Sequence, residues 1–301
     1  MSNVKFFPIL ADLSVAGKQH KLPPEDSWKA PQNGGLEATG NYVNGVKMEK
    51  WGMGVESADG VMSYFATQDP QKYHLDTANT MTEYYQDFVK TMLSAVEYAF
   101  NLWKPTFGFS GLKINGPVAV GSAGCLKSSQ QFFPLFKSYP GFPAPSSSRK
   151  FYNKWRDAVG KGVEKCLNKY FDNVTVPGLP WYPAFAAFPG PVAPPMPNVT
   201  WPLISCPSSG LTDITTMEPL KRAILNEFDD GIAEKNHDEI HDTIFEAIAT
   251  SLATGFLTWV STQMINLVMG TGQIPTFAPP VVPVGPVVNG QNLPNPGHIA
   301  M

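Results

Sequence analysis

The sequence predicts a mainly α fold with long Pro/Gly-rich extended arms and short β segments, with α+β as the alternative. Three observations predict it. Apolar residues recur at helical spacing in several long runs. Three of those runs pass directly into stretches dense in proline and glycine. From Ala247 to Met301 there is no Lys, Arg, Asp or Glu, so the end of the chain must be packed against protein or lipid.

Composition narrows the class. The chain has 301 residues, enough for one large domain or two small ones. Its formal net charge of −3 offers no basic field for nucleic acid. Charged residues make up 16%, against roughly 25% in ordinary soluble domains. The 29 prolines come with 43% hydrophobic and 12% aromatic residues, which is not the composition of a disordered chain. Low charge with many rings implies extra surface buried in an oligomer. The start, Met1-Ser2-Asn3-Val4-Lys5, lacks the basic-then-apolar pattern of a secretory signal. Cys125, Cys166 and Cys206 are too few and too far apart for a disulfide scaffold or zinc knuckle, and are expected to be reduced thiols.

Six regions follow in order: 1–80, 81–125, 126–148, 149–207, 208–238 and 239–301. Region 1–80 is turn-rich, with Asn33-Gly34-Gly35 and Asn44-Gly45 as breakers and runs such as Phe6–Leu10 and Gly60–Phe65 as short elements. A helix is predicted over Thr82–Lys104, with Tyr85, Phe88, Met92, Val96, Ala99 and Trp103 on one face. Pro105 ends it. An arm follows to Gly124, then a linker over 126–148. A second helix, Ser148–Phe171, carries Phe151, Trp155, Val159, Val163 and Tyr170 on its apolar side. After it, prolines from Pro177 to Pro202 interleave with Trp181, Tyr182, Phe185, Phe188 and Trp201. A shorter helix covers Glu218–Glu234, with Pro219 in its first turn.

The last helix is predicted over Glu239–Met269. Its polar stripe is only Thr250, Thr254, Thr258 and Ser261, and a helix apolar on nearly every side is buried in protein or membrane. Ala247–Met269 has spanning length. Its Ser and Thr residues, Gln263 and Asn266, and the lack of Lys or Arg on its C-terminal side favour a bundle or oligomer core over a bilayer. The arm from Gly270 to Met301 echoes the first. Pro275-Thr276-Phe277 and Gly285-Pro286-Val287 match Pro105-Thr106-Phe107 and Gly116-Pro117-Val118. The reading expects this terminal arm to be ordered only by another subunit, its prolines keeping it out of the middle of its own sheet.

Chemical motifs are sparse. His237 and His241 are spaced to share a helical face. Glu239 between them fits neither order of the zinc-hydrolase helix motifs, and a polar first helical turn explains the same residues. No phosphate loop or nucleophile elbow is present. Asn173-Val174-Thr175 and Asn198-Val199-Thr200 fit glycosylation acceptors and are read as turn residues. No cofactor is called for.

The uncharged run Pro279-Pro280-Val281-Val282-Pro283-Val284-Gly285-Pro286-Val287-Val288 and the segment 105–124 resemble the lacing arms of structural proteins in tailed bacteriophage virions. The resemblance is one of sequence style. It implies a non-enzymatic subunit of a tail, baseplate or neck, made in the host cytoplasm. Its partners would be copies of itself and other structural proteins, with no nucleic acid. The residues expected at assembly contacts are Pro105, Phe107, Pro117, Val118, Trp181, Trp201, Trp259, Pro275, Phe277, Val281, Val284, Pro286 and Val287. Cys125 and Cys206 lie near arm ends, where they could cross-link to a neighbour. Two alternatives stand beside this reading: a membrane-associated protein with a C-terminal apolar helix, and a metal-dependent enzyme using His237 and His241.

Overall fold

Each of three long helices is followed by two of the six strands that form one antiparallel sheet. The computed structural model describes residues 42–43, 46–47, 70–144, 150–228, 238–277 and 284–300. The chain divides into two compact units, Lys18–Asp87 and Met1–Gly17 with Phe88–Met301. In the smaller unit, β1 (Tyr42–Val43) pairs antiparallel with β2 (Val46–Lys47). The runs Phe6–Leu10 and Gly60–Phe65 lie outside the described residues.

Helix α1 spans Pro70–Trp103, starting before the predicted Thr82. Phe88, Met92, Val96, Ala99 and Trp103 are buried as their spacing requires. A 3-10 turn at Lys104–Thr106 carries Pro105 and ends the helix. Then come β3 (Phe107–Phe109), β4 (Lys113–Asn115), β5 (Val118–Gly121) and β6 (Leu126–Ser128). The predicted linker 126–148 thus holds β6 and helix α2 (Phe132–Lys137), whose Phe132 and Phe136 are buried.

Helix α3 (Lys150–Asp172) leads to β7 (Val176–Pro180), a short helix α4 (Pro183–Ala186), β8 (Val192–Pro197) and β9 (Trp201–Pro202). Helices α5 (Leu211–Thr215) and α6 (Met217–Glu227) pack against α3 and against α7 (Asp238–Thr262). Gly162 is the contact point on α3, since a Cβ there would sit 2.6 Å from the Ile224 Cα. Its value in the sequence is close approach, which outweighs its low helix propensity.

Helix α7 is the core helix that the sequence foretold, but it stops at Thr262. Beyond it lie β10 (Met264–Ile265), β11 (Met269–Gln273), β12 (Val288–Asn292) and β13 (Ile299–Ala300). Met269-Gly270-Thr271-Gly272 is a poor helix sequence, and its two glycines suit a tightly packed strand. The six-stranded sheet runs β7-β5-β4-β12-β11-β8, and β13-β10-β9 and β3-β6 form smaller sheets.

Two expectations are corrected here. The fold is mixed α/β, with a six-stranded antiparallel sheet at its centre, rather than mainly α. The periodicity argument missed this because the strands are short and interrupted by glycine and proline, which weakens alternation. The terminal arm also folds into its own subunit, with β12 and β11 as interior strands. The prolines did not prevent this because they lie outside the strands. Pro275 and Pro286 fall in the connection between β11 and β12, and Pro294 and Pro296 follow β12.

Rings from three helices and one strand meet in one cluster. Phe100 contacts Trp259 edge-on at 4.8 Å, Trp103 contacts Phe107 at 4.6 Å, and Phe107 stacks on Phe171 at 4.0 Å. This joins α1, β3, α3 and α7, and such pairs add roughly 0.5–1.5 kcal/mol each beyond area burial.

Candidate functional site

Strand alternation decides what the sheet presents outward. On the inner face Ile114, Ala119, Leu179 and Ala193 are fully buried. Glycines complete that face. At Gly270 a Cβ would lie 2.5 Å from Ile114 Cδ1 and 3.0 Å from Trp181, so the large side chains fill the glycine's place. The outer face carries the alternate residues. One row crosses the sheet as Val120, Lys113, Gln291 and Thr271, in register. A second brings Pro180 beside Val118 and Val118 beside Asn115, while Gln273 pairs with both Val288 and Val192.

Val118, Val120, Val192 and Val288 are 40–51% exposed on this face. Lys113 is the one charged residue in the six strands. The edges differ from the face. Edge strand β7 contains Pro177 and Pro180, and edge strand β8 contains Pro194, Pro195 and Pro197. Proline removes ladder donors, so neither edge readily accepts another strand. The outer face, unlike the edges, carries exposed apolar side chains.

The predicted contact residues divide by placement. Phe107, Trp181, Trp259 and Val287 are 0–2% exposed and packed in the chain's own core. Pro105, Trp201 and Phe277 are half-buried, whereas Pro117, Pro275 and Pro286 are exposed. Val118 lies on the outer sheet face, and Val284 is 59% exposed in the β11–β12 connection. Val281 lies outside the described residues. Cys125, Cys166 and Cys206 are free and buried, not displayed at arm ends. Burial pushes the Cys125 thiol up to about 11 and those of Cys166 and Cys206 up to about 12.

His237 lies outside the described residues, and His241 falls in the first turn of α7. Among the described residues no group of His, Cys, Asp or Glu is arranged to hold a metal. The stretch Thr243–Thr262 is long and apolar enough to cross a membrane, and 67% of its apolar window is buried inside the chain. Its exposed stripe is nearly free of unused donors. Thr250, Thr254, Thr258 and Ser261 each donate to the carbonyl four residues earlier.

Sequence reasoning missed the buried amides that join distant segments. Asn198 accepts from the Val268 N–H at 2.9 Å and donates to the Ile265 carbonyl at 3.2 Å. Its side chain is therefore 3% exposed and already engaged, which removes it as a glycosylation acceptor in the folded chain. Asn173 instead closes α3 by donating to the Lys169 carbonyl. Asn292 accepts from the Leu112 N–H at 2.9 Å. Their partners are far away in sequence, so no local pattern signals them. No protein-family model, no curated protein and no solved structure matches this chain.

Proposed function

We propose that the chain is a non-enzymatic structural subunit of a larger protein assembly, and that subunits meet through the outer face of the six-stranded sheet. The observation that carries this reading is the set of exposed valines, Val118, Val120, Val192 and Val288, on a face whose strands contain one charge. Apolar area left open on a sheet face gains from being covered, at roughly 25 cal/mol per Å² before ordering costs. Proline-blocked edges direct association to the face and away from open-ended strand addition. The particle is a tailed-phage virion on the strength of the sequence style alone.

The test is particle mass. Purified chain is compared with the double variant Val120→Lys, Val192→Lys by sedimentation velocity over a wide concentration range. Both positions are exposed, so the variant keeps its unfolding transition. The wild type is expected to form discrete assemblies and the variant to remain monomeric. Equal assembly by the variant removes the sheet face as the interface. A wild type that stays monomeric at all concentrations removes self-assembly.

A further inference from the structure

Residues 292–300 run along the open edge of β3 and replace a strand with side chains. Strand β3 pairs with β6 on one edge only. On the other, the Gly297 N–H donates to the Phe107 carbonyl at 2.8 Å. Asn292 Nδ2 donates to the Phe109 carbonyl, and the Phe109 N–H donates to His298 Nδ1 at 3.0 Å. The approach is close, since a Cβ at Gly108 would sit 2.6 Å from the Asn295 carbonyl oxygen. The same segment then pairs with β10. The Asn266 N–H donates to the His298 carbonyl at 3.1 Å, and Ile299 is in register with Ile265.

His298 is the pivot of this segment and is 1% exposed. A ring nitrogen that accepts from a backbone N–H carries no proton, so the neutral imidazole holds its proton on Nε2. That atom is buried with no hydrogen-bond partner among the described residues. The ring lies nearly parallel to Phe109, with centroids 6.1 Å apart. The groups on the elements packed along this segment are Phe107 and Phe109 from β3, Asn266 beyond β10, and Asn292 from β12. The 3-10 turn packed against β13 carries Lys104, a cation. None of these is a carboxylate.

We propose that residues 293–300 form an acid-labile clip: protonation of His298 opens it and uncovers the edges of β3 and β10. In the closed clip a proton on Nδ1 would face the Phe109 N–H, donor against donor, and would leave a buried charge without a counterion. The open segment has no such penalty. Burial holds the closed ring down to about 4, and a free imidazole protonates near 6.5. The open form therefore binds more protons between those two values. Opening is independent of pH above about 6.5, rises as pH falls towards about 4, and levels off below. From pH 7.5 to pH 5 the opening equilibrium increases about 30-fold, by proton linkage from those two values. The uncovered edges carry unpaired N–H and C=O groups, which is the form in which strand edges recruit another chain.

Amide hydrogen exchange on the full-length protein at pH 7.5 and pH 5, corrected for the chemical exchange rate, reads the clip directly. Phe109, Asn266 and Gly297 are expected to lose protection about 30-fold at pH 5, by the same linkage. Phe256 in α7 should stay more protected than all three at both pH values. The variant His298→Asn keeps an acceptor at the δ position and cannot titrate, so it should abolish the pH dependence at the three amides. Unchanged protection in the wild type overturns the proposal. So does a loss shared equally by Phe256, which would be global unfolding, and so does a pH dependence that survives in the asparagine variant. The wild-type pattern decides the matter even where that variant does not fold.

Discussion

The backbone N–H of Gly116 donates to the carbonyl of Val287 at 2.7 Å, so two of the chain's three Gly-Pro-Val sequences, 116–118 and 285–287, lie side by side. A Cβ on Gly116 would sit 3.7 Å from the Pro286 Cβ. The similarity that suggested two lacing arms marks the place where β4–β5 and β11–β12 join within one sheet. Gly116 has φ +60°, which admits glycine and asparagine far more readily than a branched residue. Gly116→Val is expected to cost about 1–3 kcal/mol and Gly116→Asn much less. Urea unfolding of both variants checks this. Equal midpoints would show that the turn conformation is not what selects glycine.

Deleting residues 271–301 removes most of β11 and all of β12, which are interior strands. The truncated chain is expected to lose its cooperative unfolding transition and to aggregate, because the edges of β4 and β8 are left unpaired. Circular dichroism on heating and light scattering report both effects. A sharp transition in the truncated chain would show that the rest folds without its central strands.

Trp259 should be among the most sensitive core positions. It is 1% exposed and contacts Phe100 and Phe171. Trp259→Ala is expected to destabilise by about 3–5 kcal/mol through lost burial and the cavity left behind. A shift in denaturant midpoint at unchanged slope measures it. A loss below about 1 kcal/mol would mean that the site collapses around the smaller side chain.

The three thiols should be slow to react while the chain is folded. Burial raises the thiols of Cys125, Cys166 and Cys206, so the reactive thiolate is scarce at pH 8. The folded state favours the protonated thiol. Its contribution is complete below the unfolded value of 9.0 and is lost as pH rises from there towards about 11 to 12. Thiol titration with an aromatic disulfide reagent should be slow in buffer at pH 8 and fast in urea. Denaturation at pH 10 should need less urea than at pH 8. A non-reducing gel showing stable dimers of native chain would reverse the reading for Cys125 and Cys206.

Metal content should not depend on the two spaced histidines. Replacing His237 and His241 by alanine is expected to leave elemental analysis and particle mass unchanged. Stoichiometric zinc in the wild type that disappears in the variant would point to the metal-dependent alternative.

The sequence by itself determined where the long helices lie and which residues of the first and last are buried, but not the short helices or the end of the last one. Heptad-like spacing over Phe88–Trp103, and the nearly chargeless run after Ala247, can be read residue by residue because a helix places neighbours three and four apart on one side. It also marked the segments where proline and glycine halt the helices. It did not determine what those segments become. Val118 and Val287 occur in matching sequences, yet one is 40% exposed and the other fully buried. A strand's burial depends on which strand it pairs with, and the partners of β4 and of His298 come from the far end of the chain. Such pairings are set by long-range closure and side-chain fit rather than local preference. Tertiary structure therefore decided that the arms close into a single sheet, which face of it stays open, and that one buried histidine holds the last strand in place.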